Sequence, residues 1–186
     1  MIHWDYQLFT YFNGFAGSNR ALDVTMIFIA RWGIFLYLLI LGRFWQKTGK
    51  AANRRLKLAV RTGLAAVLAL AINQAIGLIY FRPRPFMDHQ VNLLVKRTAD
   101  ASFPSDHTAF AAALTGALSG QGRKTAAFLT VFTVVLGISR VYVGTHYLLD
   151  VLGGFCTGVF GNFLVCLCWP KIDGLIDRVS AFVYKH

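Results

Sequence analysis

Charged side chains are scarce in this chain, 15% of 186 residues against 56% hydrophobic ones. With a positive mean hydropathy, that balance excludes an ordinary soluble domain and makes lipid the expected solvent. Cysteine is nearly absent. Cys156, Cys166 and Cys168 all fall in one late apolar run, so none has a loop partner for a disulfide. Cys166 and Cys168 are two apart and point to different sides of a helix, which argues against a metal shared between them. No internal repeat of roughly 20 to 50 residues is visible. No basic lead with a small-residue cleavage site precedes the first long apolar run, so that run is expected to stay as an anchor. The length suits one domain, expected to cover residues 1–186.

What is abundant is positive charge, a net +11. The basic residues sit in short breaks between apolar runs and not on one polar face, which speaks against nucleic acid and for membrane topology. Runs able to cross about 30 Å of hydrocarbon occupy residues 22–45 and 58–80, with shorter or interrupted ones at 106–119, 125–142 and 148–169. The expected fold is therefore an all-α membrane bundle of five spans. The third run is short for a lipid-exposed span, so it should be buried in the bundle or extended by its flanks. Ahead of them, HWDYQLFTYFNGFAG is periodic and aromatic but too polar to cross. An amphipathic helix in the interface is expected there, covering one end of the bundle or serving as an aromatic anchor.

Arg43, Lys47, Lys50, Arg54, Arg55, Lys57 and Arg61 crowd the first break, and Arg123 and Lys124 the third, so both should be cytoplasmic. Alternation then puts Lys171, Arg178 and Lys185 inside and loops 81–105 and 139–147 outside. This leaves Arg82, Arg84, Lys96, Arg97 and Arg140 on the outer face, against the positive-inside trend. A bound anion supplies the missing reason, since arginine forks match phosphate oxygens.

Three polar segments lie at apolar borders: YFRPRPF at 80–86, SFPSDHT at 102–108 and SRVYVGTHYLLD at 139–150. They bring together arginines for an anion, a serine and a histidine beside a proline, and a second histidine four residues before an aspartate. In a near-helical stretch Asp150 could hold one nitrogen of His146 and aim the other outward. His107 would remain as a general acid, and the arginines would neutralise charge on a transferring phosphoryl group.

Together the segments resemble the type 2 phosphatidic acid phosphatase family. Its pattern is Lys, six residues, Arg-Pro; then Pro-Ser-Gly-His; then Ser-Arg, five residues, His, three residues, Asp. The third element matches in full. The second reads Pro104, Ser105, Asp106, His107, with aspartate for the usual glycine, a form similar to the bacterial undecaprenyl diphosphate phosphatase branch. The resemblance, carried by residues 73–150, implies His146 as nucleophile, Asp150 as its orienting partner and His107 as acid and base. It implies Ser105, Arg140 and Arg84 as phosphate ligands, with Asp106 beside them, and no metal or cofactor. The implied reaction converts undecaprenyl diphosphate to undecaprenyl phosphate through a phosphohistidine, at the outer face of a bacterial plasma membrane. Phosphatidylglycerophosphate and phosphatidic acid are the alternative substrates, and a small anion or lipid transporter is the alternative of another class.

The family lysine is missing, because the places seven before Arg82 and Arg84 hold Ala75 and Gly77. Arg82 is expected to substitute for it, with Lys96 or Arg97 as lesser candidates. His107, His146, Asp106 and Asp150 are side-chain types that could bind zinc, but the neighbouring arginines would repel a cation. Arg31 should be structural, His3, His89 and His186 solvated, and Asn73 and Gln74 helix-packing residues.

Overall fold

A computed structural model describes residues 3–47, 52–96 and 98–183. Lys50, Arg97, Lys185 and His186 lie outside the described residues, which contain helices and no strand. The elements are α1 (His3–Asn13), α2 (Arg20–Lys47), α3 (Ala52–Ile79), a single turn α4 (Pro85–Asp88), α5 (Asp106–Leu118), α6 (Arg123–Tyr142) and α7 (Leu148–Val183). Four of them, α2, α3, α6 and α7, are long and apolar enough to cross a membrane.

The short third run is α5, 13 residues long. At 1.5 Å per residue it spans only about 20 Å, and it is buried at the centre of the bundle against α7, α3, α6 and α2. Its composition explains the position. Ala109, Ala111, Ala112, Ala113 and Ala117 are at most 2% exposed, and the facing side of α7 carries glycine at the closest approaches. A Cβ on Gly154 would stand 2.3 Å from the Ser105 carbonyl oxygen, and one on Gly158 2.3 Å from that of Ala109. Helices in lipid gain from such contact because no hydrophobic effect drives them together. The same approach brings the first turns of α5 and α7 side by side, where the Ser105 N–H donates to the Asp150 carbonyl over 2.9 Å.

One boundary differs from expectation, and of the two roles open to the N-terminal helix the structure favours one. The last run does not stop at residue 169, since α7 continues through Pro170 to Val183. The proline removes one helix hydrogen bond without ending the helix, so Lys171 and Arg178 lie on its extension and not in a tail. The N-terminal segment is helical, as its periodicity suggests, but it is a docked part of the bundle. Asp5, Phe9 and Asn13, four residues apart, are buried. Asn13 donates to the carbonyls of Asn92 (2.9 Å) and Tyr142 (2.8 Å). The ring of Phe9 meets Tyr147 edge-on at 5.4 Å. Helix α1 thus covers the end of the bundle where all three polar segments meet.

Candidate active site

Geometry at this end begins with the turn between α6 and α7. The chain leaves α6 at Tyr142 and reverses at Gly144, whose φ of +85° disfavours any other residue. The reversal returns the backbone N–H groups of Thr145 and His146 to the Arg140 carbonyl, at 3.1 and 3.3 Å. Ser-Arg and His are thereby fixed to one another by backbone, which accounts for their spacing.

His146 is 2% exposed. Its Nδ1 lies 2.9 Å from the Ser102 carbonyl oxygen, which only accepts, so Nδ1 carries the proton and Nε2 bears the lone pair. Nε2 in turn receives Arg84 Nη1 at 2.9 Å. Burial holds the ring neutral, its pKa pushed down to about 4; Asp150 opposes this while the charges of Arg84 and Arg140 add to it.

The expected direct grip of Asp150 on the imidazole is not what holds the ring. Asp150 Oδ2 stands 3.6 Å from Nδ1, too far for a hydrogen bond. The physical reason is that His146 precedes α7 and does not lie one turn below Asp150 on a common helix. The carboxylate acts one step removed: Oδ2 accepts the Ser102 hydroxyl, whose own carbonyl carries the ring, and also the Tyr147 N–H at 2.8 Å. Ser102 is fully buried and has no signal in the sequence beyond standing next to a motif.

Arg84 is 3% exposed. Its Nε donates to Asp100 Oδ1 at 2.7 Å, Nη2 to the Ala101 carbonyl at 3.2 Å, and Nη1 to the Thr145 carbonyl at 2.9 Å as well as to His146. Arg140 is 2% exposed on the last turn of α6 and donates from Nη1 to the Ala30 carbonyl at 2.9 Å. Ser105 caps α5 and its hydroxyl accepts that of Thr108 at 3.1 Å. His107 occupies the first turn of α5, half-buried.

Arg82 is placed differently from the expectation that it replaces the family lysine. Its Nη1 bonds Asp150 Oδ1 at 2.7 Å, its Nη2 bonds Asp5 Oδ2 at 2.5 Å, and its guanidinium lies 4.3 Å from the centre of the Tyr147 ring. Both ends of the fork are taken by carboxylates, so it sits behind His146 as a structural cation. Asp106 also turns from the anion side. It accepts Asn73 Nδ2 at 2.9 Å and Gln74 Nε2 at 3.3 Å, and it lines a cavity of about 320 Å³ with Asp100, Phe103 and Gly77. Asn73 and Gln74 thus do more than pack, since they fix this carboxylate. Lys96 is exposed, and Arg31 is exposed on α2. His3 approaches Gln7 at 3.0 Å in an exposed pair. His89 is not simply solvated, because it is half-buried with its ring 4.3 Å from that of Tyr6.

Chemically this is a neutral imidazole with a fixed tautomer, its lone pair directed at a guanidinium, in a pocket almost closed to water. Such a nitrogen can attack phosphorus, and the guanidinium that meets it can follow the charge that moves onto the phosphoryl oxygens.

Residues 58–173 match the PAP2 superfamily. The chain is 39% identical to the undecaprenyl-diphosphatase BcrC of Bacillus subtilis (strain 168), over 97% of this chain and 94% of that one. It is 30% identical to the putative undecaprenyl-diphosphatase YbjG of Escherichia coli (strain K12), over 89% and 82%. Its structure superposes on that of Aquifex aeolicus LpxE with a TM-score of 0.71 and 26% identity, covering 87% of this chain and 93% of that one. By motif order, fold and sequence match together, the chain belongs to the PAP2 superfamily and is a multi-pass membrane phosphatase.

Proposed function

We propose that the chain hydrolyses undecaprenyl diphosphate to undecaprenyl phosphate, with His146 as nucleophile, at the outer face of a bacterial plasma membrane. The observation that carries this reading is the placement of the buried His146 ring, with Nδ1 on the Ser102 carbonyl oxygen and Nε2 against Arg84 Nη1, both at 2.9 Å. The 39% identity to a Bacillus subtilis protein of that activity supports the substrate. A largely apolar groove of about 310 Å³, lined by Phe12, Ile138, Val151, Leu152 and Phe155 together with Thr108, whose hydroxyl bonds Ser105, suits the isoprene units nearest the diphosphate.

The terminal phosphoryl group enters by taking the place of Nε2 on Arg84 Nη1. Nε2 attacks phosphorus, an N–P bond forms as the bridging P–O bond breaks, and the departing lipid phosphate takes a proton from His107. Arg84, Arg140 and Ser105 hold the phosphoryl oxygens meanwhile. Water then attacks phosphorus and gives its proton to His107, the N–P bond breaks, and inorganic phosphate leaves with His146 neutral again. The ring is cationic only while it carries phosphorus, and the buried Asp150 carboxylate stabilises it then. The outward orientation rests on Arg43, Arg54, Lys57, Arg61 and Lys124, which gather at the opposite end of the bundle.

The test is phosphate release from undecaprenyl diphosphate, phosphatidylglycerophosphate and phosphatidic acid by the purified protein in detergent. The diphosphate is expected to have the highest kcat/KM, and His146→Ala to abolish release with the protein still folded. A monophosphate lipid turned over faster would replace the substrate, and turnover retained by His146→Ala would remove the nucleophile.

A further inference from the structure

Asp5 is a fully buried carboxylate on the N-terminal helix. None of the three motifs contains it, and the mechanism above does not use it. Its two oxygens do two things. Oδ2 binds Arg82 Nη2 at 2.5 Å, and Oδ1 accepts the N–H of Leu149 at 3.0 Å, in the first turn of α7. Asp150 is the next residue, and it holds the other end of the Arg82 fork at 2.7 Å. Asp5 therefore grips Asp150 from two sides, through its backbone neighbour and through its counter-ion.

We infer that Asp5 is a positioning residue for His146, and that the N-terminal helix completes the catalytic charge array. This rests on His146 being the nucleophile, as proposed above.

Charges alternate along the array, Asp5, Arg82, Asp150 and then the His146 ring. One guanidinium shared between two carboxylates leaves the pair with a net negative charge. Were Arg82 to serve Asp150 alone, the two would neutralise each other, and the ring would lose the field that stabilises it while it carries phosphorus. Asp5 draws the guanidinium to one side and leaves Asp150 charged toward the ring. It does so where water cannot compensate, since both carboxylates are 0% exposed and Arg82 only 11%. The groups facing His146 are Arg84 from the 80–84 segment, Arg140 from α6 and Asp150 from α7. Asp5 reaches it through Arg82 and the Leu149 N–H to Asp150, and from there through Ser102, so substrate contact is not part of its role.

A helix that merely docked would behave otherwise, and the full-length protein in detergent separates the two. Asp5→Asn keeps the shape and removes the charge. Its kcat, counted per site able to trap phosphohistidine, is expected to fall about tenfold. KM for undecaprenyl diphosphate should stay within about twofold. In an Asp150→Asn background the same change should cost under about twofold more, because its path runs through Asp150. Asn13→Ala, which loosens the far end of α1, should lower Tm and leave kcat per trapped site unchanged. If Asp5→Asn does not fold, Asp5→Glu and Asp5→Gln, equal in length and different in charge, give the same comparison, with Glu the faster. Wild-type kcat per site in Asp5→Asn, an equal loss in Asn13→Ala, or full additivity with Asp150→Asn would overturn the inference. His146→Ala runs alongside: if it still turns over, the nucleophile assignment fails; if it is dead while Asp5→Asn is fully active, only the role of Asp5 fails.

Discussion

The two ends of the helix bundle carry ion pairs of opposite character. At the catalytic end Asp5 and Asp150 are 0% exposed, Arg84 3% and Arg82 11%. At the other end Lys57 bridges Asp173 and Asp177 at 2.9 and 2.8 Å, with side chains 23%, 36% and 51% exposed. Distances alone do not distinguish them. What differs is the alternative open to each charge when its partner is removed: water at one end, an unpaired charge in low dielectric at the other. A site that must hold a neutral imidazole against two arginines needs the second kind.

The sharpest way to break the comparison is Asp150→Asn. It removes the field behind His146 and one partner of Arg82 and disturbs the Ser102 hydroxyl, while the Ser102 carbonyl can still hold the tautomer. A fall in kcat on the order of a thousandfold is expected, close to the scale seen when a buried carboxylate behind a catalytic histidine is neutralised elsewhere. Phosphohistidine trapping after rapid mixing should show slowed formation of the N–P bond. Trapping at the wild-type rate would mean the carboxylate serves the fold alone.

Arg84→Ala comes next. It takes away the donor that meets Nε2 and would follow the phosphoryl oxygens, so kcat/KM should drop on the order of a hundredfold. Steady-state kinetics on the diphosphate measure it. Arg84→Lys should recover only part, because a single ammonium cannot bond Asp100, Thr145, Ala101 and a phosphoryl oxygen together.

Acid supplies a third probe of the buried end. The folded His146 pKa of about 4 lies below the ordinary 6.5. Below 6.5 the unfolded chain binds a proton at this ring that the folded chain does not. Its contribution is therefore fully present above pH 6.5 and is lost as pH falls toward 4, up to about 3 kcal/mol. Thermal unfolding in detergent across that window should show a steeper decline for the wild type than for His146→Gln. Parallel declines would mean that the ring is not held neutral.

How far the sequence reached follows the same division between ends. The positions of the apolar runs, the burial of the short third helix and the meeting of three polar segments were legible, because hydropathy runs and motif spacing are local properties; the continuation of α7 through Pro170 was not. The role of Arg82 was not. Its neighbour Arg84 carries the same side chain two residues away, and only the arrival of Asp5, from 77 positions earlier in the chain, decides which guanidinium is neutralised. Ser102 was invisible for a related reason, since it acts through a backbone carbonyl that any residue possesses. Asp5 left a faint trace, as the first member of a buried set, Asp5, Phe9 and Asn13, at four-residue spacing on a helix with an aromatic exposed face. A carboxylate on the inward face of such a helix calls for a cation, and the one it meets is Arg82, which the missing lysine had drawn to the anion side instead.

The smallest effect is expected at the exposed end. Lys57→Met severs the bridge to Asp173 and Asp177, but each carboxylate keeps access to water, and Asp177 keeps Asn53 Nδ2 at 2.6 Å. Surface pairs of this kind contribute little, because desolvation is small and holding long side chains costs entropy. Tm should move by no more than about 2 °C, and kcat on the diphosphate should not change, since Lys57 stands near the start of α3 and the site at its far end. A loss of activity here would show that the two ends communicate through α3, and the contrast between buried and exposed charge would then need a mechanical coupling added to it.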